Sequence, residues 1–233
     1  MNRHHKTLLT EIKKISNRDK PIFKENNYSG SPHPIWGLSV PQQRKIAQTW
    51  TETNKNINLT NLLNLLDSLY KGQSLEERKI AGQILQYMPN LRKDINPILL
   101  ESWLETLQGW EEIDSLCQSV FSYKDISAKK DEWHKLIRRL YKNQNMSHKR
   151  ASLVLLTFPV LQSDNKELAN LSFETIDKLK FEKNILITKA LSWLLRHLIE
   201  HHKNEVKTYL NKNLLQISRI AVRETGNKLT AEK

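Results

Sequence analysis

Cysteine is almost absent from this sequence: Cys117 stands alone among 233 residues. One thiol forms no intramolecular disulfide and anchors no cysteine-based zinc site, which fits a reducing compartment. Glycine and proline are scarce as well, six and seven in all. Turn-rich β architectures use more of both, and the long Leu/Lys/Glu/Asn-rich stretches between them favour helices, so an all-α chain is expected. No apolar run reaches the length of about 18 residues that a membrane span requires. The N-terminal MNRHHKTLLTEIKKIS also lacks the apolar core of a signal peptide, so a cytoplasmic protein without membrane association is expected. GxxxxGK[ST], GxGxxG and GxSxG are missing too, which argues against those nucleotide-binding and hydrolase classes.

What the sequence has in excess is positive charge. Thirty-seven Lys and Arg against twenty-five Asp and Glu give +12, a balance that points to a polyanionic partner such as nucleic acid, and less to an anionic membrane surface. The excess is uneven. Up to Asp125 there are sixteen basic and fourteen acidic residues, and from Ile126 onward twenty-one and eleven, so the second half carries the field.

Apolar residues recur at i, i+3, i+4 and i+7 with breaks every twelve to twenty residues, which predicts roughly ten to twelve helices and no strand. PQQRKIAQTWTET opens with Pro41 at a helix start. LTNLLNLLDSLYKG has Asn58 or Thr60 as its cap and Gly72 as its stop, and SLEERKIAGQILQYM opens with a Ser74-to-Glu77 capping box. Small residues inside alternate helices, Ala81, Cys117, Ala151 and Ala190, lie 36, 34 and 39 positions apart. That interval suits paired-helix repeats of the HEAT or armadillo kind, stacked into a curved solenoid, with an irregular bundle as the alternative. NNYSGSPHPIWGLSVP is the one long break and is too short and too aromatic for a tether, so residues 1–233 are read as one domain.

QGWEEIDSLC places Trp110 four residues before Asp114, so a shared helix presents an indole and a carboxylate on one face. Such a pair suits stabilisation of a cation. The plain alternative is a core tryptophan beside a helix-capping or ion-paired aspartate, and the residues alone leave both open. Arg150 with Lys149, His148, Arg138 and Arg139 forms the densest basic group, suited to phosphate contacts or to a solvated face; Lys189, Arg196, Arg219 and Arg223 are similar. His197, His201 and His202 have i, i+4 spacing but no cysteine or acidic motif to complete a metal site, so a basic helix end is the better reading. Trp36, Trp50, Trp103 and Trp133 are assigned to packing.

The ordered set YSGSPHPIWGLSVPQQRKIA, WEEIDSLC, SHKRASLVLLTF, KALSWLLRHL and ISRIAVRET resembles the AlkD-like DNA alkylation repair family, DNA glycosylases built from HEAT-like repeats. The resemblance covers nearly the whole chain. It implies hydrolysis of the N-glycosidic bond of cationic alkylated purines, N3-methyladenine and N7-methylguanine, in duplex DNA bound to a basic concave face. It assigns the catalytic aspartate to Asp114 and the lesion-flanking tryptophans to Trp110 and Trp193. It puts DNA contacts at Arg150 and Tyr28, with Lys149 and Lys189 as basic neighbours. A monofunctional, monomeric enzyme that uses no metal or cofactor is implied. The rival expectation is a non-catalytic nucleic-acid-binding or scaffold protein of the same fold.

Overall fold

The computed structural model describes residues 2–23 and 29–231, and among these the regular structure is helical throughout. An isolated antiparallel bridge joins Ile22 to Ile35. The contacts fall into two compact units, Met1–Val120 and Phe121–Lys233. The first holds α1 (Arg3–Ser16), α2 (Val40–Thr53), α3 (Leu59–Tyr70), α4 (Leu75–Tyr87), α5 (Pro89–Arg92), α6 (Leu99–Leu104) and α7 (Gly109–Cys117). The second holds α8 (Tyr123–Ala128), α9 (Lys130–Lys142), α10 (Met146–Gln162), α11 (Lys166–Leu179), α12 (Ile185–Asn213) and α13 (Arg219–Ala231).

Local chemistry sets the helix starts. Ser39 and Gln42 form a capping box at α2 with proline in its first turn, Asn58 caps α3 by accepting from Asn61 N at 2.8 Å, and Ser74 and Glu77 cap each other at α4. Each cap satisfies backbone N–H groups that the first helical turn leaves without partners. Among the described residues the thirteen helices exceed the expected number because α5, α6 and α8 are short pieces of four to six residues.

In the first unit α4 packs between α2 and α7; in the second α12 packs between α10 and α13, with α9 and α11 behind. The small residues with the regular spacing explain the close stacking. Ala81, Ala151 and Ala190 are fully buried and Cys117 nearly so, on α4, α10, α12 and α7 respectively. Side-chain bonds between successive hairpins repeat the period: Lys79 to Glu111 spans 32 residues, Arg138 to Glu174 spans 36, and Ser192 to Glu224 spans 32. Within each unit this is the stacking of helical hairpins that the sequence interval implies.

α12 is broken at His202, whose φ of −130° and ψ of 41° leave the helical region. The break has a packing reason, because the two legs serve different neighbours. The first leg bonds α10 through His197 and His201, which reach the Thr157 and Leu161 carbonyls, and the second bonds α11 through Tyr209 to Asp177 at 2.7 Å. No helix among the described residues is long and apolar enough to cross a membrane.

Candidate active site

α7 begins at a crowded joint. Gly109 has φ of +73°, and a Cβ there would lie 2.3 Å from the Ser29 carbonyl oxygen, so only glycine lets the 29–31 segment settle on the first turn. Trp110 N donates to that same Ser29 oxygen at 2.9 Å. Glu112, fully buried, then gathers the surroundings. Its carboxylate accepts from Gln108 N at 2.9 Å, from His33 Nδ1 at 2.7 Å and from the Ser31 hydroxyl, with the Arg78 guanidinium 3.9 Å away. Glu76 does the same for the next stretch of the loop, accepting from Trp36 N, Gly37 N and Leu38 N at 2.9, 2.8 and 3.2 Å. Two buried carboxylates thus fix the segment that leads to α2, each satisfied by several donors as a buried charge requires.

The joint holds α7 so that its exposed side lines an open cleft of about 510 Å³ shared with α4 and the start of α2. Trp110 and Asp114 sit one turn apart in α7 and both line this cleft. Asp114 is not the cap of its helix; Gln108 is, and Asp114 is the sixth helical residue, 7% exposed. On the opposite wall Lys79 is ion-paired to Glu111 at 2.6 Å, followed along α4 by Gly82 and Gln83. α4 comes so close to α7 at Gly82 that a Cβ would lie 1.8 Å from the Ser115 carbonyl oxygen. Gln83 and Glu112 are not among the residues singled out from the sequence. Ser31 and Glu112 are 81 positions apart, and no local pattern joins them.

The tryptophans divide by exposure. Trp36, Trp50, Trp103 and Trp133 are between 2 and 5% exposed and belong to the core, whereas Trp110 and Trp193 are only partly buried. Trp193, on α12 of the second unit, donates its Nε1–H to His197 Nε2 at 2.7 Å, with the two rings edge-on at 5.7 Å. His197 Nδ1 faces the Thr157 carbonyl at 2.9 Å, so the ring donates there and accepts from the indole, an arrangement only the neutral imidazole can make. Burial, aided by Lys228 and Arg196 nearby, holds the His197 pKa below its ordinary 6.5, in agreement with that tautomer.

The expected DNA contacts occupy different settings. Arg150 is 5% exposed near the start of α10, and its guanidinium donates to the Leu186 carbonyl of α12. Lys149 is ion-paired to Glu182, and Lys189 is exposed on α12 one turn before Trp193. Tyr28 lies outside the described residues. Arg138 pairs with Glu174 at 2.9 Å, and the Tyr141 hydroxyl donates to the same carboxylate at 2.7 Å. Among the described residues, no group of three or more His, Cys, Asp and Glu is placed to hold a metal ion. His197, His201 and His202 turn to separate partners: the Thr157 carbonyl, the Leu161 carbonyl and, at 3.7 Å, Glu205.

The family model described as "DNA alkylation repair enzyme" matches residues 8–229. A solved structure from Enterococcus faecalis, described as a predicted DNA alkylation repair enzyme, is similar to this chain with a TM-score of 0.69 at 15% identity, covering 89% of this chain and 97% of that one. At that identity the likeness speaks for the fold. No curated protein matches the sequence.

Proposed function

Because the chain belongs to the DNA alkylation repair enzyme family, we propose that it is a monofunctional DNA glycosylase that removes cationic alkylated purines from duplex DNA and leaves an abasic site. The observation that carries this reading is the pairing of Trp110 and Asp114 on one face of α7 in one open cleft.

The chemistry suits those two groups. N3-methyladenine and N7-methylguanine are already cations, so the base departs as a neutral molecule and needs no acid. Positive charge grows instead on the deoxyribose as the C–N bond lengthens. A carboxylate near that carbon stabilises the charge and accepts a proton from the attacking water, which is the role of Asp114. Its 7% exposure strengthens the effect, because water screens a largely buried charge less. Trp110 offers its π face to the cationic nucleotide, an interaction of about 0.5–2 kcal/mol depending on desolvation. Trp193 has the same role in the second unit, its indole fixed by the bond to His197.

Of Lys149, Arg150 and Lys189, Lys189 is the exposed one, and it lies on the same helix as Trp193, where it suits a phosphate contact. Lys149 and Arg150 are less accessible, and each donates within the fold, to Glu182 and to the Leu186 carbonyl respectively. Duplex DNA bearing alkylated bases is the partner, and a monomer suffices. The test is incubation of the protein with methylated duplex DNA, followed by analysis of free bases and of strand integrity. Release of the methylpurines above the spontaneous rate, with strands cut only after alkali, supports the glycosylase. DNA binding without release leaves the non-catalytic binding protein.

A further inference from the structure

Gln83 is a buried amide on α4. It lines the cleft of Trp110 and Asp114, is 9% exposed, and its carbonyl oxygen accepts no hydrogen bond among the described residues. A buried carbonyl left unpaired opposes folding, and an apolar side chain of the same shape would remove that penalty. Glutamine at this position therefore asks for a ligand, and the cleft is where a ligand arrives.

Its register on α4 says which group it meets. α4 and α7 run in the same direction, since Lys79 pairs with Glu111 and, further along both helices, Gly82 abuts Ser115. Gln83, next to Gly82, stands beside the Ser115–Leu116 stretch of α7, within a turn of Asp114, and lines the same cleft. The close approach at Gly82 brings the two helices together at this level. The terminal amide torsion is soft, so the carbonyl turns toward a donor in the cleft without any movement of α4.

The reaction proposed above needs a second acceptor at that level. A water that attacks the sugar carbon must aim a lone pair at it and point both O–H bonds elsewhere. One carboxylate oxygen takes one O–H and leaves the water free to swing about that bond. A second acceptor fixes it. We propose that Gln83 is a positioning residue for the attacking water, its amide oxygen accepting one O–H while the Asp114 carboxylate accepts the other. The oxygen then bonds to the sugar carbon, and the C–N pair leaves with the purine as a neutral base. The water's proton passes to Asp114. This inference rests on the glycosylase reading and adds to it the residue that orients the nucleophile.

The experiment compares wild type with Gln83→Met, which keeps the length of the side chain and loses the acceptor. Single-turnover release of N7-methylguanine is measured at saturating enzyme, in water and in water with added methanol. Methanol has one O–H and needs only the Asp114 acceptor, so its share of the product reports on the second acceptor rather than on the fold. The expected result is release about 10- to 100-fold slower in the variant, the size of effect that misplacement of a reactant brings. The expected variant also has unchanged affinity for methylated DNA, a melting temperature no lower than wild type, and a larger fraction of methyl glycoside. A variant that releases base at the wild-type rate, or slows with no change in the methanol fraction, overturns the inference while the glycosylase stands. Absence of release by the wild type itself would instead remove the glycosylase reading and this role of Gln83 with it.

Discussion

Gly82 and Gly226 are both helical glycines, and replacing each by alanine should move stability in opposite directions. Gly226 lies inside α13 with nothing within 4 Å of the position a Cβ would take. Alanine there keeps only the gain in helix propensity, about 0.8–1 kcal/mol. Gly82 has the same propensity to gain but meets the Ser115 carbonyl oxygen at 1.8 Å, where real Cβ contacts stay beyond 3.0 Å. The obstacle is the backbone of α7, so the two helices must separate by more than an ångström. Overpacking of this kind costs ~1–3 kcal/mol, and a backbone obstacle belongs at the upper end. After the propensity gain the net loss is about 2 kcal/mol, which at ~2–4 °C per kcal/mol lowers Tm by roughly 4–8 °C. Gly226→Ala should raise it by about 2–4 °C on the same scale. Thermal unfolding followed by circular dichroism at 222 nm reads both. If Gly82→Ala melts at or above wild type, α4 and α7 do not meet as described, and the account of the cleft fails with them.

Glu112→Ala removes the acceptor shared by Gln108, Ser31 and His33 and should cost about 3–5 kcal/mol, as loss of a buried, multiply bonded charge does. The 29–33 segment should then become the first site of limited proteolysis, and a cleavage pattern like wild type would contradict the joint. His197 is held neutral, with its folded pKa below 6.5, so its contribution to stability is complete above that unfolded value and is lost as pH falls through the folded value. An NMR titration should show the Trp193 indole N–H shifting together with His197 below pH 6.5, and a His197 midpoint above 6.5 would refute the shared bond. Glu174, bonded first by Arg138 and then by Tyr141, should titrate at about 2 rather than 4.5. Because the pair is substantially exposed, Glu174→Gln should cost no more than about 1 kcal/mol at neutral pH.

Much of this architecture was written locally. The Ser74/Glu77 capping box, the Asn58 cap and Pro41 at the start of α2 are contacts within a few residues, and each formed where the sequence placed it. The 34–39-residue interval of small residues was equally legible, because only small side chains let neighbouring hairpins stack closely. Periodicity also put Trp110 and Asp114 on one helical face. What stayed hidden depends on distant partners. Glu112 reads as an ordinary first-turn acid, and only the fold brings Ser31 and His33 to it. Gln83 looks like any polar residue of an amphipathic helix until its burial and its unpaired oxygen are seen. Arg150 reads as exposed charge, yet the carbonyl of Leu186, 36 residues on, draws it inward. The break at His202 has no proline to announce it and arises from packing on two sides.

The central claim is that Asp114 faces the developing charge on the sugar. It is tested most directly by the single-turnover rate of N7-methylguanine release from methylated duplex DNA, with wild type and Asp114→Asn compared at saturating enzyme and matched DNA affinity. Asparagine keeps the size of the side chain and removes its charge and its basicity. The expected result is release by the wild type above the spontaneous rate and a loss of about 10²–10³-fold in the variant, the range seen when one aligned electrostatic group is removed. Equal rates for the two proteins would contradict it.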